Sequence, residues 1–374
     1  MKTRNILISG ASIAGPTLAY WLHRHGFRPT VVERAPSLRG GGQAIDVRGA
    51  ALTISERMGL LPEIRGAHTR MRGMSFVDGE GHTLMSTTEE TLTGGATDGE
   101  DVELMRDDLA NILHRATRDD VEYRFGDSIT SLTEDDGGIH VTFEHGAPRT
   151  FDLVVGADGV HSQVRTLVFG EEARFIRHLG TYLSVFTAPN HLNLDHWQVF
   201  HQGPGRMAGM FSARNNTEAR VILGFQSPPL EFNRRDTARQ KQLVADTFAD
   251  MGWETPRLLK AMWDAPDFYF DSMSQIFMDR WWSGRTVLVG DAGYCGSPMS
   301  GQGTSMAMVG AYVLAGELKA AGGDLRAALP AYEERLRGFV HRNQSLASPD
   351  MKGPPPREAM QEAANAIRLV DYRS

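Results

Sequence analysis

The chain has 374 residues, 41% hydrophobic and 23% charged, with a formal net charge of −7; at about 150 residues per domain this accommodates two to three. That balance excludes wholesale disorder, and a mildly acidic chain without a long basic run argues against nucleic-acid binding. No apolar run reaches the length of a membrane span, Ile6-Leu7-Ile8 is too short for a signal-peptide core, and the single Cys295 allows neither an internal disulfide nor a cysteine-based metal cluster, so a cytoplasmic protein without a metal is expected.

In chain order, Ile6–Ile8 reads as a short buried strand. Ala14, Leu18, Ala19 and Leu22 then share one helix face, Gly26 stands at a C-cap, and Thr30–Val32 forms a second strand. Residues 50–65 read as one helix carrying Leu52, Ile54, Met58 and Leu61. Met74–Gly79 and Gly81–Met85 read as a hairpin, and Glu103–Ala116 as a helix. Strands follow at Val121–Phe125, Ile139–Phe143 and Phe151–Val155. The region 175–228 is strand-rich, with Tyr182–Thr187, Gln198–His201, Ala208–Ser212 and Arg220–Phe225; 236–264 reads as two helices. Arg285–Val289 is another apolar strand, followed by helices over 304–320 and 326–344. Prolines between 348 and 356 interrupt regular structure, and a last helix covers about 357–370. The expected fold class is α/β. One αβ domain is assembled from 1–70, 103–174 and 276–345, and a β-sheet domain from 71–102 and 175–275 is interleaved with it. A linker and helix over 346–374 close the chain. Interleaving of this kind favours a ligand cleft between the domains.

Three glycine turns carry the chemical signal. The first, Gly10-Ala-Ser12-Ile-Ala14-Gly15, lies between a strand and a helix. Its first glycine permits a tight turn and its last close helix–strand packing, so the helix N-terminus can face a pyrophosphate. Ser12 replaces the usual middle glycine. Glu33, ending the second strand, is placed to accept from an adenosine ribose. Arg34 suits either a 2′-phosphate or an adenine ring; the Val-Val-Glu-Arg ending resembles that of FAD-binding units, which implies the adenine. The second turn is Gly156-Ala-Asp158-Gly159. The third is Gly290-Asp291-Ala-Gly-Tyr294, continued by Pro298-Met-Ser-Gly301-Gln-Gly303. The helix after Gly303 turns its free amides and the positive end of its dipole back toward this turn, which favours negative charge on whatever binds there. Gly310, Ala311 and Ala315 keep that helix slim.

Together these motifs resemble the single-component FAD-dependent monooxygenases similar to p-hydroxybenzoate hydroxylase, across about residues 4–345. In length and C-terminal layout the chain is closest to the tetracycline-inactivating monooxygenases. The resemblance implies a Rossmann-like, glutathione-reductase-type FAD domain. It assigns Gly10, Ser12, Gly15 and Glu33 to the ADP moiety and Arg106 to the phosphate–ribityl region. Asp158 is assigned to FAD and nicotinamide, Asp291 with Gly290 to the ribityl chain, and Pro298 to the oxygen-reacting side. Asp46 and Arg39 are implied to lie near the flavin or NADPH, with Gly41-Gly42 allowing close backbone approach. By its residues alone, Arg106 also reads as a surface ion pair with Asp107 or Asp108. Tyr294 stands where many relatives carry a histidine.

The sheet domain is less informative. Phe76, Tyr182, Phe186, Trp197, Phe200, Phe211 and Phe225 read either as a flat aromatic pocket or as core. Gln198, Phe211 and Arg214 are the candidate substrate contacts. Trp281-Trp282 is expected at the domain junction; His161 and His201 read as solvated or structural. The resemblance implies non-covalent FAD, NAD(P)H as transient co-substrate, and O2 reacting through a C4a-hydroperoxyflavin to oxygenate an aromatic or polyketide-like molecule. No catalytic side chain is needed, because the flavin does the chemistry. A monomer or homodimer fits, with no membrane or nucleic-acid partner. The alternatives are an FAD reductase or oxidase, a halogenase, for which the Trp-x-Trp-x-Ile-Pro segment is absent, and a non-catalytic nucleotide-binding regulator.

Overall fold

Buried β-branched runs build a parallel sheet covered on both faces. In spatial order its strands are Trp282–Ser283, Thr286–Leu288, Leu153–Gly156, Asn5–Ser9, Arg28–Glu33 and Glu122–Phe125, all parallel except the first. The structure, a computed structural model, describes residues 4–372 apart from Gly94, Asp98 and 351–353. A three-stranded antiparallel meander (Ile129–Asp135, Gly138–Phe143, Arg149–Phe151) packs against the parallel sheet. Helix Gly303–Ala320 lies between helices Ala14–Arg24 and Leu325–Gln344. It is buried almost all round, as its small and apolar residues require.

The second unit is a seven-stranded sheet. Its order is Tyr269–Ile276, Ile176–Ala188, Glu218–Gln226, Arg206–Ala213, Gln198–Gly203, Met74–Val77 and Thr83–Thr87. Only the pair Gln198–Gly203 with Met74–Val77 is parallel. One face is backed by helices Thr237–Phe248 and Thr255–Asp264. No helix among the described residues is long and apolar enough to cross a membrane.

Four local expectations change. The single helix over 50–65 is two, Ala50–Arg57 and Leu61–Gly66, because Gly59 (φ +74°) ends the first with a left-handed turn. The helix expected from Glu103 starts at Arg106; Val102–Met105 is instead a strand pairing with Ala44–Val47. The last helix is Arg357–Ala364 and does not reach 370. Trp281 does not lie at a domain junction. It is buried in the core around the parallel sheet, 4.7 Å from the Tyr294 ring and 6.1 Å from that of Tyr332.

Candidate functional site

The carboxyl ends of three adjacent parallel strands meet at one place, and each strand runs into one of the three glycine turns. The turns are in contact. A β-carbon on Gly10 (φ +109°) would fall 2.3 Å from the Ala157 carbonyl oxygen, and one on Gly15 would fall 1.9 Å from the Gly10 oxygen. One on Gly290 would stand 3.3 Å from the Ala14 β-carbon. Glycine is required at the first two positions because any side chain would push strand and helix apart.

Helix Ala14–Arg24 begins without a side-chain cap, so its first N–H groups and its positive dipole end are open to an anion. The Ser12 hydroxyl lies 3.3 Å from Arg106 Nη1. Arg106 Nη2 donates to the carbonyls of Arg39 (2.8 Å) and Gly41 (3.1 Å). Asp107 and Asp108, the carboxylates with which Arg106 would pair on a free helix surface, are both held by Arg214. Burial and then the neighbouring Arg39 push the Arg106 pKa down, against the pull of the Asp107 and Glu33 carboxylates. Ser12, Glu33, Leu38, Arg39 and Arg106 line one narrow cavity with Ala11 and Ala110.

Glu33 closes the other side of that cavity. Its two oxygens accept from the Ala11 N–H (2.9 Å) and the Ala35 N–H (3.0 Å), leaving further lone pairs for hydroxyls. Arg34 beside it is exposed. Asp291 follows Gly290 and faces the start of helix Gly303–Ala320; a β-carbon on Gly303 would be 3.9 Å from Asp291 Oδ1. Burial pushes its pKa up, and a hydrogen bond with Cys295 opposes this. The helix at Gly303 has no side-chain cap either, and the buried Gln302 Oε1 has no hydrogen-bond partner. Pro298 is exposed, and Gly301 (φ +63°) lies under Met360 of the C-terminal helix, whose carbonyl accepts from Gln302 Nε2 at 3.2 Å.

Asp46 lies opposite Glu103 in the two-stranded ladder, with its carboxylate 2.8 Å from Arg48 Nη2. Burial pushes its pKa up to about 7, against the pull of Arg48 and with the help of Glu103. The strand is tied to the Gly303 helix through the Arg48 N–H, which donates to Ser305 Oγ at 3.2 Å. Asp158 ends the second glycine turn's first half and is engaged within the chain. Its carboxylate accepts from the Ser162 hydroxyl and from the N–H groups of Gln163 (2.9 Å) and Val164 (3.1 Å), so its acceptors go to the start of helix Gln163–Phe169.

Strand parity sorts the aromatic residues of the seven-stranded sheet. Tyr182, Phe186 and Phe225 point to the face covered by the two helices, and Trp197 packs against the same cluster. They are core, and the aromatic-pocket reading is corrected for these four. The other face carries Phe211, Ile222, Val185, Leu183, Met207 and Tyr269, packed toward Ala44 and Met105 of the ladder on the glycine-turn side. Phe200 and Phe76 pair with their rings 5.7 Å apart; Phe200 lies over Gly209, where a β-carbon would meet its ring at 2.1 Å.

The three candidate substrate contacts fare differently. Phe211 is on this face and fully buried. Gln198 is fully buried and holds Leu92 N (3.0 Å) and the Thr93 hydroxyl, so its amide orders a neighbouring turn. Arg214 gives three of its five N–H donors, one each to Asp107, Asp108 and Glu218, so its guanidinium is held in place by acids. Sequence reasoning missed Arg220 and Tyr269. Arg220 is 1% exposed and reaches across to the Gly42 carbonyl at 3.2 Å. Tyr269 lies within the influence of Asp271, Asp291 and Arg39, and burial pushes its phenol pKa up. The available signal was parity: Tyr269 is the register partner of Val185, and Arg220 of Phe211.

Residues 3–344 match the family described as FAD binding domain. The chain belongs to this family of FAD-dependent monooxygenases. It is 43% identical to a flavin-dependent monooxygenase of Legionella longbeachae over 345 residues, covering 92% of this chain and 88% of that one. An uncharacterized protein of Mycobacterium tuberculosis is 54% identical over 374 residues, the full length of both. Among solved structures, tetracycline destructase Tet(51) superimposes with a TM-score of 0.90 at 38% identity, covering 99% of this chain and 100% of that one. This flavoenzyme is thus an oxidoreductase that uses FAD. Its seven-stranded sheet faces the two-stranded ladder with an apolar, partly aromatic surface.

Among the described residues one group could also ligate a metal, Asp78, Glu80 and His82, on an exposed turn. There Asp78 accepts from the N–H groups of Glu80 and His82, which is ordinary turn chemistry.

Proposed function

We propose that this flavoenzyme couples NAD(P)H oxidation to insertion of one oxygen atom from O2 into an aromatic or polycyclic, polyketide-like phenol or enol. The observation that carries the reading is the apolar face bearing Phe211, Met207 and Tyr269, packed toward Ala44 and Met105 of the ladder, which Arg48 ties to the helix after the third glycine turn. The similarity to tetracycline destructase Tet(51) supports the polycyclic class. In this reading 1–70, 103–174 and 276–345 form the FAD domain, and 71–102 with 175–275 form the substrate domain.

FAD, when bound, accepts hydride and activates oxygen, which no side chain can do. The chain's residues bind and orient it. The uncapped amides at Ala14–Gly15 and Arg106 suit the diphosphate. Glu33 suits the ribose hydroxyls and Asp291 the ribityl chain. The amides after Gly303 stabilise negative charge at the pyrimidine edge. Attachment is non-covalent in this reading: burial and then Asp291 raise the Cys295 pKa, so its thiol is a poor nucleophile. One dinucleotide turn serves FAD, so NAD(P)H binds transiently in the cleft. The two sheets together exclude water from the reacting atoms.

The test is turnover under oxygen-18 gas with NAD(P)H and an accepted polycyclic phenol. One labelled atom should enter the product and the other water. Product without label, or label drawn from water, overturns the monooxygenation and leaves a reductase or oxidase.

A further inference from the structure

The loop Arg39–Gly42 is held at both ends of its short span by residues from elsewhere. On one side its carbonyls at Arg39 and Gly41 position Arg106. On the other, the Gly41 N–H donates to Asp107 Oδ2 at 2.9 Å, and the same oxygen accepts from Arg214 Nη2 at 2.6 Å. There is no slack in this packing. A β-carbon on Gly41 would fall 1.6 Å from Asp267 Oδ2, and one on Gly42 would fall 2.7 Å from Arg106 Nε.

Arg214 belongs to the turn between strands Arg206–Ala213 and Glu218–Gln226 of the seven-stranded sheet. Arg214, Asn215 and Asn216 all have left-handed backbones, with φ of +49°, +55° and +68°. Asparagine tolerates that region, whereas arginine is uncommon there and must be held by other contacts. Those contacts are three carboxylates: Asp107, Asp108 (3.0 Å) and Glu218 (2.8 Å). A partly buried arginine spread over two acids of the opposite unit is a poor surface ornament and a good strut.

We infer that Arg214 is a positioning residue for the cofactor. Through Asp107 and the Gly41 amide it fixes the loop whose carbonyls aim Arg106, so the substrate-side sheet sets how tightly the FAD diphosphate is held. The inference rests on Arg106 facing that diphosphate.

The test is the dissociation rate of FAD from the full-length holoenzyme, followed by recovery of free flavin fluorescence. Arg214→Ala should raise the rate roughly tenfold, the loss of one charge-assisted link. In an Arg106→Ala background the same change should add little, because the two act through one loop. Arg214→Lys should restore only part of the effect, since an ammonium cannot fork across Asp107 and Asp108. Asp108→Asn, which leaves the Gly41 contact intact, should stay near wild type.

An unchanged rate in Arg214→Ala overturns the inference. So does an equal factor in both backgrounds, which signifies general loosening. If Arg106→Ala alone leaves the rate unchanged, the placement of Arg106 on the diphosphate fails, and the inference with it. Should Arg214→Ala not fold, Asp107→Asn weakens the same link and carries the same comparison. None of these readouts depends on oxygenation, so a failed labelling experiment leaves them interpretable.

Discussion

The hydroxyl of Tyr294 occupies the space a β-carbon on Gly310 would need: the two would be 1.9 Å apart. That hydroxyl is paired at 3.0 Å with the hydroxyl of Tyr332, which in turn donates to the Leu288 carbonyl at 3.0 Å. The fully buried chain ties the third glycine turn to helices Gly303–Ala320 and Leu325–Gln344. Gly310→Ala should therefore cost stability despite alanine's better helix propensity, by about 1–3 kcal/mol, as overpacking does in a tight core. Chemical denaturation of the variant is the measurement. Pairing Gly310→Ala with Tyr294→Phe, which removes the clashing oxygen, should recover part of the loss.

Glu33, at the end of strand Arg28–Glu33, and Asp291, on the third glycine turn, are both carboxylates, yet their removal should affect the flavin-free protein in opposite ways. Glu33 serves the Ala11 and Ala35 amides, so Glu33→Ala leaves two donors without an acceptor and should destabilise the fold by about 1–3 kcal/mol. Asp291 is a half-buried carboxylate whose pKa its surroundings have pushed up by desolvation, so Asp291→Ala should leave the flavin-free melting temperature unchanged or raise it. Both variants should bind FAD more weakly, Asp291→Ala more so. Melting curves with and without FAD separate the effects.

His161 links the two units of the molecule. Its ring nitrogens contact Glu172 at 2.9 Å and Asp271 at 2.7 Å, while Glu172 also holds the fully buried Arg165 and the half-exposed Arg234. Burial alone would lower the His161 pKa, but the two carboxylates outweigh it and raise the value above 6.5. The native state therefore holds this proton more firmly than the unfolded chain. The stabilisation is full below pH 6.5 and is lost as pH rises through the higher folded value. Glu172 behaves inversely. Burial opposes ionisation, but His161 and the arginines hold its pKa below 4.5, so its contribution disappears as pH falls through that lower value. The stability gap between wild type and His161→Gln should be widest between about pH 4.5 and 6.5 and close on the alkaline side. Melting temperatures across that range check it; a gap that grows above pH 8 would contradict the assignment.

Legibility divided along a clear line. The turn at Gly10–Gly15 and the strand, helix and acid around it are consecutive in the chain, and their requirements are local: a positive φ, a close approach, a buried β-branched run. The same is true of Gly290-Asp291 and of the slim helix after Gly303. The resemblance to FAD-dependent monooxygenases rested on these local features, and the family match bears it out. Gly59, by contrast, was legible and unread: a glycine at the end of an apolar run is a helix stop.

What the amino-acid sequence determined by itself was thus the three glycine turns and the family they mark, because each is specified by neighbours a few residues apart. Tertiary structure alone decided the partners across the cleft. Arg106 and Arg214 are both arginines beside acids, and no local pattern says that Arg214 takes Asp107 and Asp108. Phe211 and Tyr182 were equivalent as strand aromatics until register set one toward the ladder and the other against the backing helices. The physical reason is reach: Arg214 and Asp107 stand 107 positions apart in the chain, and within a sheet a one-residue change of register reverses every side chain's face.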